Sequence, residues 1–440
     1  MPASPFDSAH LHTLFPTGET ARLFSDSAEV RAMMLVEGTL AKVQGAHGVI
    51  PEISAAAIHR ASLELQIDPG GLASATGENG VSTPALVAAF RDLMQAPEHA
   101  QYLHWGATSQ DIQDTALMLR LRQALSHAET HLDAILKDLA TLADAHAQTP
   151  MTARTYGQHA TPTSFGAQVA QWGWPLLTLR KALPELRESC LLVSLSGAAG
   201  TASVLGDDPA ALRRDLAEKL GLNDPGHSWH TDRTPILRIA DWMTRAALAC
   251  GKMGQDLILA TQSGIGEVIL GGTGASSTMP QKQNPVAPSV LKALAAHAQG
   301  LNATLQGAAV HSQQRDGAAW FTEWLTLPQL VLTATASLTH TASLAQTIRP
   351  NTDSMQATLD STGGLVLAEA LSFALARQMP RPEAQAATKT LCKEARETGR
   401  PLEEIARAAY PDLPSGVFDT AQQTGTAAPE ARAFVDAVRG

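Results

Sequence analysis

Residues Asp111 to Gln148, DIQDTALMLRLRQALSHAETHLDAILKDLATLADAHAQ, contain neither glycine nor proline. Within them Leu121, Leu125, Ala128, Leu132, Ile135, Leu139 and Leu142 recur at alternating steps of four and three residues. That rhythm keeps one apolar stripe on one side of a helix turn after turn, which is the seam of a long bundle helix. A helix much longer than the average of ~11–12 residues needs neighbours along its whole length, so this stretch predicts long helices packed side by side.

Proline-poor runs of the same kind extend from Ile236 to about Ile269, from Ser289 to about Gln314, and from Trp320 to Ile348 apart from Pro328. Ser164 to Leu183 is helical in pattern and carries Pro175, where a kink is expected. Met33, Val36, Leu40 and Val43 give a further helix over Val30 to Gln44. Hydrophobic residues make up 44% of the chain and aromatics only 4%, and the apolar runs are rich in Ala and Leu, which favours helices in close contact over strands. No segment alternates as a strand should, so the expected fold class is all-α.

At 440 residues the chain exceeds the size at which one core stops growing. The patterning divides it into an N-terminal helical domain over 1–110, a central long-helix bundle over 111–355 and a C-terminal helical domain over 356–440. The last is cut into short pieces at Gly363-Gly364, Pro380, Pro382, Gly399 and Pro401. No short internal repeat is evident.

The formal net charge of −10 is spread without a basic block, which excludes a nucleic-acid partner while leaving room for a basic pocket that takes a small acid. No apolar run approaches the ~18 residues of a membrane span, and the N-terminal residues lack the pattern of a signal peptide. Cys190, Cys250 and Cys392 are odd in number and far apart, which fits core positions in a reducing compartment. A soluble, cytoplasmic protein without a membrane partner is expected. His10 and His12 have no partners at metal spacing, and no HExxH or Cys/His cluster occurs, so no metal is expected.

Three polar stretches interrupt the apolar patterning: HWGATSQD over His104 to Asp111, RTYGQHATPT over Arg154 to Thr163, and GGTGASSTMPQKQNP over Gly271 to Pro285. Each lies near the end of a predicted long helix, where unpaired backbone N–H groups, hydroxyls and amides suit an anion. Taken singly, Thr108 to Asp111 reads first as a helix cap and His159 as a hydrogen-bonded structural residue. The Gly-rich stretch lacks the Gly-Lys-Ser/Thr ending of a phosphate loop.

Taken together, the three point further. Ser276-Ser277-Thr278-Met279-Pro280-Gln281-Lys282-Gln283-Asn284-Pro285 resembles the Ser-Ser-x-Met-Pro-x-Lys-x-Asn-Pro signature of the fumarase/aspartase superfamily, and the other two stretches resemble its first and second signature regions. The resemblance spans nearly the whole chain. It implies a three-domain helical subunit whose long central helices form a twenty-helix core in a homotetramer, with each active site shared between subunits. Within the superfamily, His104 to Thr115, Gln314-Arg315 with WFTEWLTLP over Trp320 to Pro328, and Gly364-Leu365 through Glu369-Ala370 are similar to the branch that lactonises carboxylated muconates.

That likeness implies a small polycarboxylate substrate and no cofactor. It assigns Ser276 as the catalytic serine and Lys282 as a catalytic cation, with Thr108, Ser109, Thr155, Gln158, His159, Asn284 and Arg315 binding substrate. Gly271, Gly272 and Gly274 would hinge the serine onto its target once substrate is bound. Tyr156 stands where most superfamily lyases carry a histidine that serves a leaving group. A cyclisation has no leaving group, so the tyrosine favours lactone formation and reads as a pocket wall. Against this, relatives often show His-Lys-Arg-Asn where this chain reads Gln281-Lys282-Gln283-Asn284, which removes one cation. Release of fumarate from a succinylated amine, or a helical tetramer without chemistry, stay open as alternatives. His99, His104 and His159 are further candidates for charge support.

Overall fold

The computed structural model describes residues 4–272, 274–275, 278–279 and 282–440. Most of them are helical, and the opening seam forms as expected. Ser109–Ala145 is one helix of 37 residues, with Leu121, Leu125, Leu132, Ile135 and Leu139 fully buried and Ala128 nearly so. Thr234–Ala260, Val286–Gln306 and Gly317–Thr347 are the other long helices of that class, and Phe165–Cys190 continues through Pro175. Asp26–Ala46 covers the predicted helix at Val30 to Gln44.

Two predicted helices end early. The one expected to reach Ile269 stops at Ala260, because Gly264 and Gly266 then take positive φ and Val268–Ile269 pairs with Arg349–Pro350 as a short antiparallel ladder. The one expected to reach Gln314 stops at Gln306 and gives way to a single 3-10 turn over Gly307–Ala309.

The expectation of a chain without strands is also corrected. Pro150–Thr155 (β1) and Gln158–Ser164 (β2) form an antiparallel hairpin. Its two-residue turn is Tyr156-Gly157, with φ of +52° and +72°, the doubly positive pair that matches the twist of a tight hairpin. The register shifts between Thr152 and Arg154, and this irregularity together with Pro162 hides the alternation from a periodicity search. Threonines at 152, 155, 161 and 163 and the glycine after one turn residue were the available signals.

By contacts the described chain resolves into two compact units. The first comprises Met1–Thr130, Leu179–Leu248 and Ala293–Thr339, and the second His131–Thr178, Ala249–Lys292 and His340–Gly440. In the second unit the C-terminal helix Ala427–Arg439 docks through Phe434, which is fully buried and edge-on to Trp174 at 5.6 Å. The Phe434 ring lies so close to Gly173 that a Cβ there would overlap it. Gly173→Ala is therefore expected to destabilise the protein by about 1–3 kcal/mol through overpacking, read as a lower urea midpoint with early proteolysis at the C-terminal helix.

Among the described residues, no helix is long and apolar enough to cross a membrane. All three cysteines are free. Cys190 and Cys250 are buried, and burial pushes the Cys250 thiol up to about 12, which leaves it inert as a nucleophile and makes it a packing residue.

Candidate active site

In the first unit the structure brings Thr108 and Arg315 together across 207 residues of chain: Arg315 Nη2 donates to Thr108 Oγ1 at 2.8 Å. The same nitrogen donates to the carbonyl oxygen of Ala198 at 2.6 Å. Thr108 is buried just ahead of the Ser109–Ala145 helix, and Ser109, its first residue, is half-buried.

The turn that carries Arg315 is held by the residue that follows it. Asp316 caps the Gly317–Thr347 helix, accepting from Ala318 N at 2.9 Å and Ala319 N at 3.3 Å, and it also accepts from Ser312 N at 3.0 Å. The Ser312 donor first, with the two helix N–H groups, lowers the Asp316 carboxyl to about 2. The turn carrying Arg315 is thus fixed at any ordinary pH.

Asp111 occupies the third position of the long helix and does more than cap it. Its Oδ2 accepts from Thr108 N at 3.0 Å and Gly197 N at 2.9 Å, while Oδ1 accepts from Ser194 Oγ at 3.1 Å and Ser196 N at 2.9 Å. His230 Nε2 lies 2.7 Å from the same Oδ1. One turn on, Arg233 is enclosed by two carboxylates. It reaches Asp114 through Nη1 at 2.8 Å and Nη2 at 3.0 Å, and Glu323 through Nε at 2.7 Å and Nη2 at 2.8 Å. Trp229 stacks on the guanidinium at 4.9 Å. Burial disfavours the Arg233 cation, but the two carboxylates outweigh burial and raise its pKa. For Glu323 burial is the larger effect, and its pKa is raised despite Arg233.

Sequence reasoning passed over His230 and Arg233, quoted Asp114 and Glu323 only within stretches of resemblance and without a role, and read Asp111 as part of a capping sequence in a stretch suited to an anion. The glycines of Ser196-Gly197-Ala198-Ala199-Gly200-Thr201 were the signal for the loop that meets Asp111: Gly197 has φ of +72°, and a Cβ there would sit 3.2 Å from the Gly106 carbonyl oxygen. A cavity of about 490 Å³ lies beside this network, walled by Met33, Leu117, Trp320 and Trp324 with Gln113 and Arg120 as polar lining. None of the predicted site residues lines it.

In the second unit, Thr155 and Gln158 face each other across the hairpin turn, with His159 next on β2, and all three are exposed. Tyr156 stands at the tip, fully exposed. The hairpin is clamped by Arg154, whose Nη1 and Nη2 reach the two oxygens of buried Glu267 at 2.7 and 2.9 Å, a bidentate pair. Glu267 immediately precedes the short strand Val268–Ile269, so this clamp also ties the hairpin to that strand. Farther along, Gly274 and Ala275 pair with Asn284 and Gln283, drawing the two arms of the signature together. Lys282 is exposed and Asn284 half-buried. Ser276, the predicted catalytic serine, lies outside the described residues, as do Ser277 and Gln281.

Two of the candidate histidines have other partners. His99 Nδ1 is 3.1 Å from Ser54 Oγ, and His104 Nδ1 is 2.6 Å from buried Glu37. Burial opposes protonation of His104, but Glu37 more than offsets it and the pKa is raised. A raised histidine pKa contributes stability that is full below the unfolded value of ~6.5 and is lost as pH rises through the higher folded value. His104 also has φ of +61°, a conformation that asparagine tolerates. We expect the stability gap between the wild type and His104→Asn to be widest in mildly acid solution and to shrink towards alkaline pH, as measured by urea denaturation across that range.

Residues 17–300 match the family described as lyase. The chain is 38% identical over 388 residues to the 3-carboxy-cis,cis-muconate cycloisomerase of Pseudomonas aeruginosa, covering 87% of this chain and 84% of that one. To the enzyme of the same name from Pseudomonas putida it is 37% identical over 85% of this chain and 90% of that one. The crystal structure of the 3-carboxy-cis,cis-muconate lactonizing enzyme from Pseudomonas putida superposes with a TM-score of 0.90 at 32% identity, over 98% of this chain and 99% of the other.

Proposed function

The chain belongs to the lyase family and with it to the fumarase/aspartase superfamily, and from that premise we propose that it is a cycloisomerase converting 3-carboxy-cis,cis-muconate to a carboxymuconolactone. The observation that carries the reading is the likeness to named cycloisomerases along nearly the whole chain. The chemistry fits the residues. One substrate carboxylate oxygen adds to the conjugated double bond, a C–O bond forms, and the electron pair moves to the carbon beside a second carboxylate. That carbon then takes a proton, so the reaction is an isomerisation with no group lost.

The charge that develops on the second carboxylate calls for donors aimed at it. Lys282 supplies a cation and Asn284 an amide donor. Arg315 counters a carboxylate, Thr108, Ser109, Thr155 and Gln158 donate hydrogen bonds, and His159 borders the substrate. Ser276 delivers the proton. Tyr156 supports this reading over C–N cleavage: the attacking carboxylate is the substrate's own and no amine leaves, so the reaction has no need of the histidine that serves a leaving group.

Membership supports the assembly as well: a homotetramer with a twenty-helix core, three-domain subunits divided near residues 110 and 355, and active sites built from more than one copy of the chain. The three unpaired cysteines support a cytoplasmic location. Turnover in deuterated water, followed by proton NMR, tests the reaction: a lactone carrying one solvent deuteron beside a carboxylate is expected. Release of fumarate from succinylated amines, with the muconate untouched, would favour the lyase alternative.

A further inference from the structure

We propose that Asp111 is a positioning residue that sets the direction of the Arg315 guanidinium. The proposal rests on the reading of Arg315 as the cation that meets a substrate carboxylate. Two acceptors hold Arg315, Thr108 Oγ1 and the Ala198 carbonyl, and both bonds come from Nη2. Each acceptor is tied to the same oxygen of Asp111. Thr108 donates its own backbone N–H to Oδ2, and Gly197, the residue before Ala198, donates its N–H to that same Oδ2. Whatever shifts Oδ2 shifts both groups that aim the arginine.

Helix capping does not account for this arrangement. A cap at the third helical position needs one bond, to the N–H of the residue before the helix. Asp111 has five partners, and a carboxylate offers only about four lone-pair sites. Its side chain is fully buried, and rotation of the carboxylate would break contacts on both oxygens. The second oxygen, held by Ser194, Ser196 and His230, fixes the plane in which Oδ2 points. The result at Arg315 is a guanidinium with Nη2 occupied and with Nε and Nη1 showing no hydrogen bond among the described residues. Those nitrogens face the role of meeting a ligand, and their aim follows from Asp111.

The test is a double-mutant cycle of Asp111→Ala with Arg315→Ala, read in two ways. With 3-carboxy-cis,cis-muconate, Asp111→Ala alone is expected to raise KM by about 30-fold with kcat changed far less, since the lost orientation belongs to a charge-assisted contact. In the Arg315→Ala background the same change should matter by less than about threefold, because residues that act through one another are non-additive. The second readout needs no substrate: the rate at which phenylglyoxal modifies Arg315, followed by mass spectrometry, should rise severalfold in Asp111→Ala. Losses that multiply, or an unchanged labelling rate, would overturn the proposal. If wild-type protein does not turn over the muconate, labelling still decides the positioning role separately from the substrate.

Should Asp111→Ala fail to fold, Thr108→Val carries the test. It keeps the backbone donor to Asp111, removes Oγ1, and should raise the labelling rate of Arg315 about fivefold, a readout that a lost substrate contact at Thr108 would not move. An unchanged labelling rate would count against the proposal.

Discussion

Arg233→Met is expected to cost about 3–5 kcal/mol of folding stability, because it leaves Asp114 and Glu323 as two uncompensated buried carboxylates facing each other. Arg233, Asp114 and Glu323 are each at most 1% exposed. All four charge-assisted bonds among them converge on one guanidinium. The loss should appear as a large fall in the urea midpoint at neutral pH. It should shrink in acid, where protonation of Glu323, whose pKa burial already raises, removes one of the stranded charges. Replacing all three residues together by apolar ones of similar volume should cost much less than the single change, since the penalty comes from breaking the set. A single change that proves nearly neutral would mean that water reaches this cluster and that the first unit is looser than its burial indicates.

The second large effect concerns chemistry alone. Ser276→Ala is expected to lower kcat by about 10³-fold or more while changing KM little, because the substitution removes a proton donor that acts at the reacting carbon and leaves the carboxylate contacts in place. Stability should be unaffected. A variant that keeps wild-type kcat would move the proton-transfer role to another residue, with Ser277 the nearest hydroxyl in the chain.

The long helices were legible because their information is local. A seam such as Leu121, Leu125, Ala128 and Leu132 repeats every few residues, and nothing within Asp111 to Gln148 can end it. Helix ends near Ala260 and Gln306 were less legible, since apolar residues continue past the point where glycine turns the chain. The hairpin was missed because a bulge and a proline broke the period-two pattern, although Thr-rich flanks around Tyr156-Gly157 marked a tight turn.

Within the candidate site, the residues that touch substrate in the proposed reaction came from the three polar stretches, apart from Arg315, which came from the separate stretch at Gln314-Arg315. The contacts that hold them were not readable. Asp111 meets Ser194 and His230 at separations of 83 and 119 residues, and Arg154 meets Glu267 at 113. No spacing rule links positions so far apart, and each partner alone looks like an ordinary surface or capping residue. Thr108 and Arg315 share this character: their types were recognised from motifs, while their direct contact came from the fold.

The most direct test of the account is the ultraviolet absorbance of 3-carboxy-cis,cis-muconate mixed with purified wild-type protein and, in parallel, with Ser276→Ala. Rapid loss of the conjugated diene with the wild type and persistence of it with the variant is the predicted result. An unchanged diene in the presence of folded wild-type protein would contradict the cycloisomerase reading and turn attention to another small acid, one whose charge is matched by a site with Gln283 in place of a cation.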